Sequence, residues 1–402
     1  METVATSREP GPPGSQECRS GDVELSIVIP CLNESRTLAG CIEQAENAIR
    51  QMGIRGEIIV ADNGSTDGSQ AIAADHGARV VPVETKGYGS AVRGGVAQAK
   101  GRYIVTGDAD GSHDFAGTGP FFDRLMQGYD LVVGNRFQGG IRPGAMRPLH
   151  RFVGNPLLSW LGRLFFGSPV GDFHCGMRGF RKDAIERIGL RTTGFELCSE
   201  MVVKATLFGL RVGEVPITVF PEGRLTQPHL RTWRDGWRHL RFLLLYSPRW
   251  LFLYPGMALL VLGTALGAWL LPGPKVVGGL RLANGTLLFA AMSLLVGFEA
   301  VCFAVYTKVF AISEGLLPED PLLSRALRHI KLETGLIVGA LLVLAGTAVW
   351  GAGFGYSWSH NFGPPSPDRL LRIVTAGLVA ITLGVQTILA SFFLSVLGLP
   401  RQ

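Results

Sequence analysis

Residues 103–115 read YIVTGDADGSHDF, and this stretch decides how the first half of the chain folds. It begins with the apolar run Tyr103-Ile104-Val105, rich in β-branched residues and typical of a buried strand, and carboxylates follow almost at once. In open α/β sheets, ligands bind where strands reach their carboxyl ends. Asp108 and Asp110 are two residues apart, so on an extended chain their side chains point to the same side. Such a pair suits Mg²⁺ or Mn²⁺ on a diphosphate, although a solvated acidic turn has the same composition.

The residues before this stretch alternate between strand and helix patterns. Three earlier strands are predicted at Leu25–Pro30, Glu57–Ala61 and Arg79–Val83. Pro30 is expected to end the first of them, because proline cannot continue a hydrogen-bonded ladder. Helical spacing of apolar residues separates the strands. This order predicts an α/β domain with a mostly parallel, right-handed, doubly wound sheet of the Rossmann-like kind.

Loops that follow successive parallel strands meet at one edge of a sheet, so four loops are expected around a single cleft. These loops are 30–34, 62–67, 86–90 and 108–114. Asp62 directly follows a strand and can accept hydrogen bonds from a base or a ribose. Gly87 and Gly89 allow a phosphate to approach the backbone at a helix N-terminus. Each loop alone is an ordinary turn pattern, whereas the four together indicate a nucleotide site.

The second half of the chain has the composition of a membrane protein. Charged residues are frequent up to about Arg249 and then nearly vanish inside four apolar spans. The spans are Trp250–Leu271, Leu287–Ile312, Leu336–Phe354 and Leu370–Leu397. Each is near or above the roughly 20 residues that a helix needs to cross a bilayer. A buried soluble helix is the alternative for one span, but four in succession predict a multi-pass integral membrane protein.

The basic residues beside these spans predict its orientation. Five arginines precede the first span, and four basic residues lie at the end of the second span or between it and the third: Arg231, Arg234, Arg238, Arg241, Arg249, Lys308, Arg325, Arg328 and Lys331. By the positive-inside rule the N-terminal domain, the second-to-third loop and the C-terminus are cytoplasmic. The net charge of +6 is therefore mostly membrane-facing, and no motif supports nucleic-acid binding. The polar, Pro- and Gly-rich residues 1–22 predict a disordered lead without a signal peptide.

Seven strings resemble the family 2 glycosyltransferases with a GT-A fold, especially the dolichyl- and polyprenyl-phosphate sugar synthases. They are SIVIPCLNES, IIVADNGSTDGS, KGYGSAVRGG, GDADGSHD, VVGNRF, GDFHCGMRGF and VGEVPITV, in the family's order from Leu25 to Phe220. The resemblance implies a GT-A catalytic domain over residues 23–229. It implies inverting transfer of a hexose (mannose or glucose) from a GDP- or UDP-sugar to polyprenyl or dolichyl phosphate at the cytoplasmic membrane face. Residues 230–249 would then be a juxtamembrane helix, and 250–402 a four-helix transmembrane anchor.

The resemblance also implies roles for individual residues. Six match donor-binding positions: Pro30, Asn33, Glu34, Asp62, Lys86 and Gly87. Asp108 and Asp110 match the pair that holds Mg²⁺ or Mn²⁺ on the donor diphosphate. Four arginines are candidates for the acceptor phosphate: Arg136 first, Arg147 or Arg151 as a second, and Arg178 near the acceptor or the diphosphate, with Asp172 beside it. A helix cap or a surface ion pair is the structural alternative for Asp172 and Arg178.

The chemistry of the implied acceptor agrees with this division of roles. A phosphate monoester has its second pKa at about 6, so much of it is a dianion at neutral pH. It is already a nucleophile and needs positioning by cations rather than a general base. The leaving nucleoside diphosphate needs charge neutralisation, which a metal ion supplies as a Lewis acid. We therefore expect one displacement with inversion and assign no catalytic base.

The chain departs from the family pattern at three places. One is residues 172–178, where Asp-x-Thr-Ser-Gly-Phe-Arg is common and only Asp172, Gly176 and Arg178 match it. Another is residues 111–114, Gly-Ser-His-Asp, where Gln-His-Pro-Pro is common; the Ser112 side chain is short for a third metal ligand, so a water or Asp114 is expected in that role. The family's Arg-x-Gly-x-Ser-Lys string is replaced by residues 223–229, in which Arg224 and His229 are candidates for the donor phosphates. These changes leave the sugar and the nucleotide open.

Three further features concern the membrane half. Trp233 and Trp237, with interleaved arginines, predict an amphipathic interfacial helix over Leu230–Tyr246; a soluble helix packed on the sheet is the alternative. Glu299 and Gln386 lie near the middle of the second and fourth spans, where a carboxylate is costly, and are predicted to share one interhelical contact. Small-xxx-small strings beginning at Gly263 and Gly335 are candidates for close helix packing.

Two alternative functions remain at this point. The first is a processive polysaccharide synthase of the same superfamily. Its Gln-x-x-Arg-Trp string is here reduced to Arg249-Trp250, without the glutamine. The second is a catalytically inactive membrane adaptor, which the presence of Asp108, Asp110 and Arg136 disfavours.

Overall fold

The computed structural model describes residues 23–223, 231–321, 323, 325, 332–359 and 367–397. The predicted disordered lead and the residues Arg224, His229, Arg328 and Lys331 lie outside the described residues. Two compact units are present. One comprises the described chain up to Ser159 together with Pro169–Ala205 and Leu210–Thr232; the other comprises Trp160–Ser168, Thr206–Gly209 and the chain from Trp233.

A seven-stranded sheet organises the first unit. The strands are β1 (Leu25–Cys31), β2 (Gly56–Asp62), β3 (Arg79–Pro82), β4 (Tyr103–Thr106), β5 (Leu131–Asn135), β6 (Arg178–Arg181) and β7 (Val212–Pro216). Their order across the sheet is β3-β2-β1-β4-β6-β5-β7. The first four are mutually parallel, β6 runs antiparallel to β4 and β5, and β5 and β7 are parallel. This confirms the mostly parallel α/β sheet.

Helices lie between these strands along the chain. They are α1 (Leu38–Met52), α2 (Ser69–Asp75), α3 (Tyr88–Gln98), α4 (Gly119–Met126), α5 (Arg136–Gly139), α6 (Asn155–Phe166), α7 (Lys182–Ile188) and α8 (Leu197–Leu207). A 3₁₀ turn at Phe115–Thr118 precedes α4, and a π-helical turn at His150–Gly154 precedes α6. In α1 the buried residues recur at helical spacing, which is the amphipathic pattern expected of a helix on a sheet.

The expectation for Pro30 is wrong, because β1 continues through it to Cys31. The ladder between β1 and β4 ends at Val28, whereas the ladder between β1 and β2 continues to the pair Cys31–Asp62. Beyond Val28, β1 is therefore paired on one side only. A residue without an N–H group is tolerated in a strand where one side has no ladder.

The second unit contains α9 (Thr232–Leu245, whose first residue belongs to the first unit) and four apolar helices long enough to cross a membrane. We call them the first to fourth apolar helices: Arg249–Leu270, Asn284–Ser313, Leu332–Ser359 and Asp368–Leu397. They confirm the four predicted spans, and the protein is an integral membrane protein. On α9, Trp233 and Trp237 are exposed by 83% and 58%, while His239, Phe242 and Leu243 are buried. The helix is thus two-faced, and its place at the membrane surface stays a prediction.

The apolar helices pack in pairs, the first with the second and the third with the fourth. The small-xxx-small string at Gly335 was predicted to allow close helix packing, and both of its glycines support this. A Cβ at Gly339 would lie 2.7 Å from the Gly384 carbonyl oxygen, and one at Gly335 would overlap Ser391. In the other string only Gly263 is at a helix contact, because Gly267 has no neighbour within 4 Å. Gln386 Nε2 donates to Glu299 Oε2 at 3.2 Å, which confirms the predicted interhelical contact.

A short hairpin joins the first two apolar helices and was not predicted. Its strands are Lys275–Val277 and Leu280–Leu282, and they pair antiparallel. Gly278 and Gly279 form the turn, both with positive φ (55° and 83°), which is the conformation that two-residue hairpin turns need. The signal was present in the sequence as two glycines between apolar residues.

Candidate active site

The loop after β1 is fastened to the loop after β2 by hydrogen bonds. Asn33 adopts a left-handed conformation (φ 58°), its N–H donates to Ser65 Oγ at 2.9 Å, and its Oδ1 accepts from the Thr66 N–H at 2.8 Å. The N–H of the buried Glu34 donates to Ser69 Oγ at 3.0 Å. Pro30, Asn33 and Glu34 therefore lie together at the carboxyl edge of β1 and β2, where the two loops are hydrogen-bonded to each other.

Asp67 adds a second fastening between the same loops. Its Oδ2 accepts from the Ser35 N–H at 2.9 Å, and its Oδ1 accepts from Ser69 Oγ at 2.6 Å. Desolvation raises the pKa of Asp67, but the hydrogen bonds from Ser69 and Ser35 outweigh this effect and lower the pKa to about 2. The carboxylate is thus held as an anion, and it fixes the two loops to each other at neutral pH.

Asp62 shapes the loop in which it lies. It is 1% exposed, and its carboxylate accepts from the N–H groups of Gly64 (3.0 Å) and Ser65 (3.1 Å) and from Gln70 Nε2 (2.6 Å). The predicted contact between Asp62 and the base or ribose thus stays a prediction. In the structure, Asp62 fixes the backbone of the loop that a nucleotide would contact.

Asn63 fastens the loop after β3 and was missed by sequence reasoning. It is 4% exposed; its Oδ1 accepts from the Gly87 N–H at 2.7 Å, and its Nδ2 donates to the Val83 and Thr85 carbonyls. Lys86 Nζ donates to the Asn63 carbonyl at 2.6 Å. The predicted donor loop is therefore held against the loop after β2. An amide directly after the strand-end carboxylate was the available signal.

The acidic pair lies at the end of β4, as predicted. The Asp108 N–H donates to His113 Nδ1 at 3.1 Å, and the same ring nitrogen lies 3.3 Å from Asp108 Oδ2. A Cβ at Gly176 would lie 2.6 Å from that carboxylate oxygen, so this position has room only for glycine. Asp110 is 4% exposed, and its Oδ1 accepts from the Ser112 N–H at 2.9 Å. His113 thus positions Asp108, and it is the second site residue that the sequence did not reveal.

The carboxylates of Asp108 and Asp110 suit a divalent cation that a substrate phosphate also binds. Mg²⁺ usually keeps several waters and binds one or two carboxylates together with substrate phosphates. Within the described ranges, no group of three or more His, Cys, Asp or Glu is arranged to hold a metal ion. Asp114 caps the turn at Phe115–Thr118, with its Oδ1 accepting from the Ala116 N–H at 2.9 Å. The expectation that a water or Asp114 supplies the third ligand stays a prediction.

A buried carboxylate orients Arg136. Arg136 follows β5 and forms a two-point contact with the fully buried Asp172, Nε to Oδ2 at 2.7 Å and Nη2 to Oδ1 at 2.8 Å. Although burial opposes it, Arg136 lowers the pKa of Asp172 below its ordinary range. Glu214 on β7 accepts from the Asp172 N–H at 3.1 Å and from Asn135 Nδ2 at 3.1 Å. Asp172 holds the guanidinium, and Glu214 in turn links Asp172 to β5 and β7.

The other predicted arginines fall into two environments. Arg147 and Arg151 are exposed beside His150, whose pKa is lowered by burial and by the charges of Arg147 and Arg136. Arg151 instead stacks over the Phe152 ring, 5.3 Å from its centroid. Arg147 is thus the better candidate for a second cation near Arg136.

Arg178 lies in a buried environment. It is 1% exposed, and its guanidinium donates to three backbone carbonyls, those of Phe173, Cys175 and Cys198, at 2.6–2.8 Å. A side chain used in this way holds the loop before β6 and α8 together, and its expected place near the acceptor or the diphosphate stays a prediction. Its burial was not visible in the sequence, because arginine is usually a surface residue.

Several known proteins are similar to this chain. The sequence model of glycosyl transferase family 2 matches residues 26–189, and the model of the family 2 C-terminal transmembrane region matches residues 305–398. The low-salt glycan biosynthesis hexosyltransferase Agl6 of Haloferax volcanii is 36% identical over 375 residues, which is 93% of this chain and 89% of that protein. The dolichyl-phosphate hexose transferase of the same organism is 30% identical over 194 residues, 48% of this chain and 82% of that protein.

A solved structure also matches part of this chain. It is glucosyl-3-phosphoglycerate synthase from Mycobacterium tuberculosis, in complex with Mn²⁺, uridine diphosphate and glucosyl-3-phosphoglycerate. The TM-score is 0.43 at 23% identity, over 56% of this chain and 78% of that one.

Proposed function

Since the chain belongs to glycosyltransferase family 2, we propose that it transfers a hexose from a nucleotide sugar to the phosphate of a polyprenol. The observation that carries the proposal is the pairing of two sites on one sheet edge. One is acidic and built on the loops after β1 to β4; the other is cationic and follows β5. A leaving diphosphate needs the first and an anionic nucleophile needs the second.

On the donor side the chain's own groups bind and orient. The loops at 33–34, 62–67 and 86–87 would receive the nucleotide, and Asp108 and Asp110 would hold a Mg²⁺ or Mn²⁺ ion against its diphosphate. When bound, that ion supplies charge neutralisation for the leaving group. His113 and Gly176 fix where the first carboxylate stands. The sugar, of the GDP-mannose or UDP-glucose type, stays an expectation.

On the acceptor side, Arg136 is aimed by Asp172 and would hold the phosphate oxygens, with Arg147 as its second cation. The dianion needs no proton removed, so positioning by these arginines replaces a general base. Four apolar side chains next to this cluster are 45–70% exposed: Leu149, Phe152, Val153 and Leu157. An exposed apolar turn beside a cationic site suits an acceptor that carries both a phosphate and a hydrocarbon chain.

The proposal assigns residues 23–229 to catalysis, 230–249 to the membrane surface and 250–402 to the anchor. The basic loops favour a cytoplasmic catalytic domain, since the positive-inside rule counts residues such as Arg241, Arg249 and Lys308 near the helix ends. The relatives named above are a hexosyltransferase and a dolichyl-phosphate hexose transferase, which supports the same reaction class for this chain.

The test is a transfer assay on the full chain in lipid nanodiscs. Candidate UDP- and GDP-sugars are offered with Mg²⁺ or Mn²⁺ and a polyprenyl phosphate, and lipid extracts are analysed by mass spectrometry. We expect a lipid-linked monosaccharide from one donor. A polymeric product would favour a processive synthase instead. Folded protein that yields no product with any donor would favour the inactive adaptor.

A further inference from the structure

A fully buried ion pair lies on α8, outside the residues assigned to either substrate. Glu200 Oε1 and Lys204 Nζ are 2.9 Å apart, and both side chains have no exposed surface. Taking two charges out of water costs several kcal/mol per ion before their attraction is counted, so such a pair is weak evidence for a stabilising role. Its partners indicate a different role.

Both members of the pair hold one backbone segment, residues 189–195. Glu200 accepts from the N–H groups of Arg191 (2.9 Å) and Thr192 (2.8 Å) and from Thr192 Oγ1 (2.6 Å). Lys204 Nζ donates to the Gly189 carbonyl at 2.6 Å. Four hydrogen bonds from one ion pair therefore fix the path of this segment.

The same segment lies directly against the donor loop. The Ser90 N–H donates to the Thr193 carbonyl at 3.2 Å. A Cβ at Gly87 would lie 2.2 Å from the Thr193 carbonyl oxygen, and one at Gly89 would lie 2.7 Å from that of Thr192. The two backbones thus touch, so a displacement of residues 189–195 displaces the donor loop.

Tyr88 carries this contact to the acidic pair. Its ring stacks on Phe195 with 4.9 Å between centroids and 18° between planes. Its hydroxyl forms a side-chain hydrogen bond with Asp108, in which the hydroxyl donates and the carboxylate accepts.

We propose that Glu200 and Lys204 are positioning residues for the donor site, acting through residues 189–195 and Tyr88 on the donor loop and Asp108. This rests on the proposed function, because it assigns residues 86–90 and Asp108 to the nucleotide sugar. It predicts a selective effect, because Arg136 is held by Asp172 and Glu214 rather than by residues 189–195.

The test compares Glu200→Gln with a matched control, Glu57→Gln. Glu57 also accepts three hydrogen bonds, from Ser26 Oγ, the Lys100 N–H and Arg79, but it lies at the opposite edge of the sheet. In nanodiscs we expect Glu200→Gln to raise the donor KM by between about tenfold and a hundredfold and to leave the acceptor KM unchanged. Glu57→Gln should leave both constants unchanged. An unchanged donor KM in Glu200→Gln, or an equal rise in the control, overturns the proposal.

Two additional variants separate positioning from folding. Thr192→Val removes only the hydroxyl bond to Glu200, and Thr192→Ser keeps it. The first should raise the donor KM and the second should not, and equal effects of both would contradict the proposal. In Glu200→Gln/Lys204→Met both charges are gone, so thermal stability recovers relative to either single variant while the donor KM stays high. Recovery of both would mean that the pair only serves folding.

A binding measurement distinguishes failure of this inference from failure of the proposed function. UDP and GDP affinities with Mg²⁺ are measured by calorimetry on the same proteins. If the wild-type chain binds neither nucleotide, the proposed function fails together with this inference. If it binds one nucleotide and Glu200→Gln binds it equally well, the positioning role alone is wrong.

Discussion

The donor and acceptor sides of the first unit are built in opposite ways. On the donor side, buried or half-buried polar groups tie neighbouring segments together: Asn33 to Ser65, Asn63 to Gly87, and Glu200 to Thr192. On the acceptor side only Arg136 is fixed by a buried partner, while Arg147 and Arg151 are exposed beside exposed apolar residues. A small soluble donor can be met by a preformed cleft, whereas a lipid must enter from a surface. The contrast predicts which substitutions act on which substrate.

The largest effect is expected at Asp110. In Asp110→Asn the amide oxygen still accepts from the Ser112 N–H, so the turn keeps its shape while the charge is lost. Transfer should fall by about a thousandfold or more, because the diphosphate loses its cation. Activity is measured against Mg²⁺ and Mn²⁺ concentration, with membrane insertion as the control. Full rescue at high metal concentration would weaken the assignment of Asp110 as a ligand.

Asp172→Asn should disrupt the acceptor site by removing the buried charge that holds Arg136. The guanidinium of Arg136 loses its buried counter-charge and one of its two fixed contacts. We expect kcat/KM for the acceptor to fall by about a hundredfold, with the donor KM unchanged. Donor and acceptor titrations in nanodiscs separate the two constants. An equal rise in both KM values would mean that the two sides are not independent.

The exposed arginines provide a matched pair on the same surface. Arg147→Ala should raise the acceptor KM by about tenfold, the value of one charge-assisted hydrogen bond to a phosphate. Arg151→Ala, which loses only its stacking on Phe152, should leave it nearly unchanged. Equal effects would point to general attraction of an anionic lipid surface rather than to one bound phosphate.

The sequence predicted the donor side better than the acceptor side. Strand order, loop clustering and the acidic pair depend on local patterns that repeat along the chain, so they are visible without coordinates. The continuation of β1 through Pro30 was missed because it depends on where the neighbouring ladder with β4 stops. The burial of Arg178, Glu200 and Lys204 was not foreseen, because burial of a charged side chain is set by tertiary packing. The Asp172–Arg136 pair joins residues 36 apart in sequence, and spacing alone does not show such a contact.

The smallest expected effect is a pH dependence at His150. Burial and the charges of Arg147 and Arg136 lower its pKa below the ordinary 6.5, so the unfolded chain binds this proton more tightly than the folded one. Stability from the neutral ring is therefore complete above pH 6.5 and decreases as the pH falls through 6.5 towards the lower folded value. His150→Gln should remove that part of the slope. A phosphate bound beside Arg147 raises the pKa of His150, so polyprenyl phosphate should also flatten the dependence of Tm on pH between about 7.5 and 5.5. The wild-type slope, measured with and without the lipid, decides whether the acceptor phosphate lies beside this ring; an identical slope in both would place it elsewhere.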